Sequence, residues 1–371
     1  MKPLSYSFTR QRLFPGFDGK TCKICPAVMS DGKDTAVLCY QMLLLTGDDV
    51  TVDSYSSVSR DGGKTFGTPR PLSSADKTVN GIRHVKTFSC PYYNRFHRKW
   101  LMLGLETLYE NDKEPVCVGG ISVCQPYYTS YSPEKGDWDA NGFSPIPLPV
   151  EALSAIPHGQ VIEFENGDML LSFFVSFEGF PKAGVLTVRY AYTENGLKPV
   201  KQGTVLRADQ YARGLCEPSV ARLGNKYYMT LRTDEAGLWS ESDDGYTFSA
   251  PVPWQWDNGE VLENYNTMQR WIRHPDGLYL AYTRKGAHND HVFRHRAPIF
   301  MARFDEDRKC LLRDTEVILV PEIGARLGNF FVTDVSKTES LLSVAEWMQP
   351  VGCEKYGSDN SIWIARVNFT E

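Results

Sequence analysis

No apolar run in the 371-residue chain approaches the roughly 20 residues needed to cross a bilayer, so no membrane-spanning helix is expected. Clustered lysine and arginine are missing too. The 40 basic and 45 acidic side chains are mixed along the chain and leave a net charge of -5, which gives no electrostatic footprint for nucleic acid. Pro/Ser/Gly-rich tracts, charge blocks and low-complexity segments are absent, so no linker is evident and one domain over residues 1–371 is expected. The opening residues, Met1 to Arg10, lack the apolar stretch of a secretory signal, and a cytoplasmic location is the expectation. The nine cysteines are scattered and odd in number. Several stand inside apolar runs, such as Cys39 in Val37-Leu38-Cys39-Tyr40, which fits buried reduced thiols. Cys22-Lys23-Ile24-Cys25 has no second CxxC to complete a structural zinc site, so neither metal nor cofactor is expected. Long amphipathic helices are missing as well.

What the chain does have is a repeat. Six stretches share one layout, a turn followed by an apolar strand: Ala36–Leu45, Lys99–Leu108, Asp168–Phe177, Lys226–Thr233, Leu278–Thr283 and Glu339–Met348. Turns such as Asp31-Gly32 and Asn166-Gly167 favour positive φ and tight hairpins. The strands are nearly continuous apolar runs, as expected of strands covered on both faces. Their starts lie roughly 50 to 70 residues apart, the period of a propeller blade. The expectation is an all-β, six-bladed β-propeller of four-stranded antiparallel blades. The apolar runs would be its inner strands, and the N-terminal segment would complete the last blade.

A second element recurs after these strands. Ser59-Arg60-Asp61-Gly62-Gly63-Lys64-Thr65-Phe66 fits the pattern S-x-D-x-G-x-T-[WF], Glu241 to Phe248 repeats it with Glu first, and Ser132 to Trp138 is a decayed version. An Asp that accepts backbone N–H bonds, a left-handed Gly and an aromatic plug make such a hairpin turn. With the blade period, these turns make the chain resemble the sialidase superfamily of Asp-box propeller glycoside hydrolases. The segment Glu217-Pro218-Ser219-Val220 through Arg232, followed by the turn at 241–248, carries the resemblance best. It implies Glu217 as the family's glutamate and Arg232 as one arginine of a carboxylate-binding triad. By the same resemblance Asp49, with Asp48 beside it, stands at the acid/base aspartate, Arg296 at another triad arginine, and Glu346 at the late glutamate that orients the first arginine. The family's N-terminal Arg-Ile-Pro reads Ile24-Cys25-Pro26 here, and Asn329-Phe330-Phe331-Val332 holds no tyrosine where the nucleophile would fall.

The residues themselves add further candidates. Lys285 to Arg296 gathers His288, His291 and His295 with two arginines and Asp290, and histidine suits proton transfer near neutral pH. His291 is a candidate acid/base, as is His84, with Arg83 next to it. Arg326 stands in a Gly-bearing loop that could reach a central site. The leading expectation is an exo-acting glycoside hydrolase on an acidic or polar terminal sugar, with Asp49 and Glu217 catalytic and the arginines binding the anion. The alternatives are a histidine-dependent propeller lyase or non-sialidase glycosidase, and a non-catalytic sugar-binding propeller. A carbohydrate is the expected partner, and the oligomeric state is open.

Overall fold

The computed structural model describes residues 5–118 and 121–370 of the chain. It is an all-β propeller whose sheets follow one another in chain order. Five are regular four-stranded antiparallel blades, not the six expected. The first runs Thr21–Ser30, Ala36–Leu44, Thr51–Ser59, Arg70–Pro71. After an intervening wider sheet come the blades opened by Ser154–Glu163, Cys216–Leu223 and Arg270–His274. The last is Phe331–Asp334, Glu339–Ala345 and Ile362–Phe369, with Tyr6–Leu13 added at its outer edge in register from Tyr6↔Phe369 to Leu13↔Ile362. The beginning of the chain thus completes the final blade. The strand Thr21–Ser30 packs against both Phe331–Asp334 and Glu339–Ala345, which closes the ring.

Between the first blade and the one opened by Ser154 lies a seven-stranded sheet instead of a regular blade. Its long strand, Lys99–Tyr109, is paired along one edge by two separate pieces, Ile82–Phe88 and Tyr92–Asn94. Pro91 stands at the break, where a residue without an N–H cannot continue the ladder. Gly104 is required opposite Phe88, just before the break, because a Cβ there would run into the Thr87 carbonyl oxygen.

The apolar runs are not the innermost strands. Five of the six are the second strand of a four-stranded blade and Lys99–Leu108 is the middle strand of the seven-stranded sheet, and cover on both faces is what makes them apolar throughout. The first strands line the axis: Ser154–Glu163 touches Arg270–His274 and Phe331–Asp334 across it. Two of these first strands carry an X-Pro bulge, at Cys25-Pro26 and at Glu217-Pro218, and a third is bulged after His158. A bulge re-aims a side chain that a regular pleat would bury between sheets. The turns at Ser59–Phe66 and Ser242–Thr247 are hydrogen-bonded as their sequences lead one to expect. Asp61 Oδ1 accepts from the N–H groups of Lys64 and Thr65 at 3.0 and 2.8 Å, and Asp244 Oδ1 from those of Tyr246 and Thr247 at 2.8 Å each. All nine cysteines carry free thiols. No helix among the described residues is long and apolar enough to span a membrane.

Candidate active site

A cavity of 820 Å³ opens at one end of the axis. Asp49, Glu217, Arg232, Arg294, Arg296 and Arg326 are among its lining residues. A smaller inner compartment of 220 Å³ continues it down the axis, sharing Asp49, Glu217 and Asn329 with it and adding Cys25, His158 and Arg270. Asp49, Glu217, Asn266 and Cys25 all hold left-handed backbones, with φ of 53, 49, 47 and 48°. Such angles are uncommon outside glycine and concentrate where a side chain must be aimed against local preference.

Glu217 Oε1 accepts from Arg232 at 2.7 Å, and Glu217 Oε2 is buried without a hydrogen-bond partner among the described residues. Burial opposes ionisation of this carboxyl, but the Arg232 charge outweighs it and holds the group down at about 2. Arg213 does not compete for Glu217. It forms a bidentate pair with Asp234, 2.7 and 2.5 Å. Arg232 therefore both pairs within its own blade and lines the cavity.

The anion-binding potential of the cavity comes from what its arginines lack. Arg232, Arg294 and Arg296 converge on one neutral oxygen, Asn266 Oδ1, the last two at 3.4 and 3.3 Å. Arg296 also donates to the Asn266 carbonyl oxygen through Nε at 3.1 Å and Nη2 at 2.5 Å. Arg326 donates to Gln349 Oε1 at 2.8 Å and lies 3.4 Å over the Trp347 ring. Among the described residues none of Arg294, Arg296 and Arg326 forms an ion pair with a carboxylate. Desolvation and the Arg232 charge push Arg296 down to about 9, and desolvation pushes Arg326 down to about 10, so both stay cationic at neutral pH. Arg232 and Arg296 stand side by side through Asn266, not opposite one another.

Asp49 lies on the loop between the second and third strands of the first blade. Gln349 donates to the carbonyl oxygens of Leu45 and Gly47 at 3.0 and 2.8 Å, tying this loop to Arg326. Desolvation by the surrounding wall, reinforced by Asp48, raises the Asp49 carboxyl above the ordinary range, with Arg326, Arg296 and Arg232 pulling the other way. Tyr109 is the tyrosine of the inner compartment. Its hydroxyl donates to the Asp49 carbonyl oxygen at 2.9 Å, and burial pushes it up to about 12, so it is not an activated phenolate. Asn329, in the stretch where a tyrosine would be expected from the resemblance, donates to the Cys25 thiol at 3.4 Å.

The remaining sequence candidates lie elsewhere. His84 is 3.2 Å from Glu106 in the seven-stranded sheet, and Arg83 pairs with Asp112 at 3.1 Å over the Tyr109 ring. Neither lines the central cavity. His291 bonds Glu322 at 2.9 Å and stacks on Tyr356 in a side cavity of 130 Å³ that shares Arg326 and Trp347 with the main one. Glu346 is fully buried outside both cavities and accepts from Arg12 at 2.9 and 3.2 Å and from Trp363 at 2.8 Å. Asn266 and Arg270 carried no signal in the sequence. Asn266 follows a polar turn like many others, and Arg270 opens a short strand of mixed polarity.

No protein-family model and no curated protein matches the chain. Solved structures do. A Dyadobacter fermentans DSM 18053 protein of unknown function superposes with a TM-score of 0.67 at 17% identity, over 98% of this chain and 99% of that one. The Hadza microbial sialidase Hz136 gives 0.61 at 12% identity, over 93% of this chain and 65% of that one. The α-L-arabinofuranosidase Arb93A of Fusarium graminearum gives 0.56 at 15% identity, over 95% and 94%. At these identities the likeness is one of fold, and the fold is one that glycoside hydrolases use.

Proposed function

We propose that the chain is a glycoside hydrolase that removes a terminal sugar bearing a carboxylate. The observation that carries this reading is the pair Arg294 and Arg296 in the cavity wall, which meet Arg232 on neutral Asn266 and, among the described residues, form no ion pair with a carboxylate of their own. Guanidinium pairs with carboxylate through two parallel hydrogen bonds, and desolvated arginines left without a protein counter-charge favour a ligand that supplies one. The sialidase and arabinofuranosidase activities named for its structural neighbours agree in reaction type.

In this reading Asp49, with its raised pKa, donates the proton to the leaving-group oxygen. Glu217 stays ionised beside Arg232 and offers its unpartnered oxygen to the positive charge that develops at the reacting carbon. Among the described residues no tyrosine lines the large cavity, and in this reading Glu217 itself is the negative group at that carbon. Proton transfer is not assigned to histidine in this reading: His158 is pushed down to about 3 by burial and Arg270, His84 lies away from the cavity, and His291 is engaged with Glu322 in the side cavity. A panel of aryl glycosides and uronate-containing oligosaccharides, assayed with wild type and Asp49→Asn, tests the reading. Turnover lost in the variant with binding retained supports it. Binding without turnover by the wild type would leave a sugar-binding propeller instead.

A further inference from the structure

Arg270 is 1% exposed, opens the first strand of its blade and lines the inner compartment. Its partners are a backbone carbonyl, Gln269 O at 3.1 Å, the Met268 thioether at 3.1 Å and the His158 ring at 3.3 and 3.5 Å. The Phe331 ring lies 5.9 Å away, and Arg270 Nε has no hydrogen-bond partner among the described residues. No carboxylate forms an ion pair with this guanidinium among the described residues: of the two acids that line the same compartment, Glu217 is engaged by Arg232, and Asp49 makes no ion pair with Arg270. The thiols nearby give no counter-charge, since burial pushes Cys25 and Cys90 up to about 12. A guanidinium cannot be relieved by losing its proton in the physiological range, and a buried charge without a partner is strongly unfavourable.

The compartment around it has room, at 220 Å³, and a mostly apolar wall that includes Ile24, Phe88, Met268 and Phe331. Asp49 and Glu217 belong to the junction with the large cavity, whereas Arg270 and His158 line only the inner part. We infer that the inner compartment is a binding site for a small, weakly hydrated monovalent anion of the halide kind, seated against Arg270. With Asp49 and Glu217 also on the wall, a divalent ion such as sulfate is repelled more strongly than a monovalent one. The inference is independent of the reaction proposed above, since it depends on Arg270 and not on what the outer arginines bind.

The test compares thermal unfolding in sodium bromide and in sodium gluconate at constant ionic strength, with bromide located by anomalous diffraction in crystals of the wild-type chain. Bromide raises Tm saturably, by about 3 °C at a hundredfold excess over Kd for a chain of this length. Arg270→Met removes the saturable rise, and the anomalous peak lies within hydrogen-bond reach of the Arg270 guanidinium. Crystals of the unmodified chain make the test independent of whether the variant folds. Equal Tm in the two salts with no anomalous peak in the compartment overturns the inference. A saturable rise with acetate and none with bromide overturns it too, and identifies the compartment as a seat for an organic carboxylate.

Discussion

Replacing Glu217 by Gln removes the negative member of the buried pair with Arg232, and its effect follows from the structure. The two side chains are 15% and 11% exposed and 2.7 Å apart. The Glu217 carboxyl is held at about 2 against an ordinary value of 4.5. A depressed native pKa contributes stability that is present above the ordinary value and is lost as pH falls through the native one. The contribution at pH 7 is about 3 kcal/mol, by linkage at 1.36 kcal/mol per pKa unit. This agrees with the roughly 3–5 kcal/mol lost when one partner of a buried ion pair is removed. Glu217→Gln should therefore unfold about 3 kcal/mol more easily than wild type at pH 7, a drop in Tm of about 4 °C for this length. By pH 3 the difference should shrink to about 1 kcal/mol, because the wild type has begun to lose the same interaction. Denaturant unfolding of both proteins at the two pH values measures it. Equal stability at pH 7, or a difference unchanged at pH 3, would refute the claim that Glu217 is an ionised buried partner of Arg232.

Other expectations concern the cavity. Turnover should fall on the alkaline side as pH rises through the raised Asp49 pKa, above the ordinary carboxylate range, and Asp49→Asn should abolish that limb together with activity, as a pH–rate profile will show. Arg326→Met should raise KM for acidic substrates by about tenfold to a hundredfold and leave neutral ones almost unchanged, read from initial rates. Gly328→Ala places a Cβ 2.6 Å from Arg296 Cδ, so it should displace that guanidinium and weaken acidic ligands in a titration, by about tenfold if one charge-assisted bond is lost.

Much of the ring was legible because its signals are local. The turns Asp31-Gly32 and Asn166-Gly167, the apolar runs after them and the turn at Ser59–Phe66 each specify their own geometry within ten residues or so. What was misplaced depends on partners far away in sequence. The apolar runs read as inner strands because double cover and axial position look the same in a sequence, whereas the true axial strands are bulged at Cys25 and Glu217 and look irregular. The second sheet took seven strands because Pro91 split its first strand in two, two separate pieces, Asp137–Trp138 and Ser144–Pro145, share the edge of Cys124–Ser132, and Lys77–Val79 adds to the opposite edge, all of which pairing alone reveals. Glu217, Arg232 and Arg296 were named through the family resemblance, and all three line the large cavity. Asn266 could not, since its role comes from three arginines that meet on it from 28 to 34 residues away. Glu346 shows the reverse case: its arginine partner is Arg12 of the N-terminal strand, 334 residues away, and the pair lies outside the cavity.

The central claim is that the convergent arginines select a carboxylate on the sugar being released. The direct measurement is kcat/KM for pairs of glycosides that differ only in that group, each acidic substrate against its carboxyl-reduced counterpart. The arrangement of Arg232, Arg296 and Arg326 predicts a preference for the acid of at least about tenfold, one charge-assisted hydrogen bond's worth, and its loss in Arg326→Met. Equal turnover of the two members, or a preference for the neutral sugar, would contradict the account.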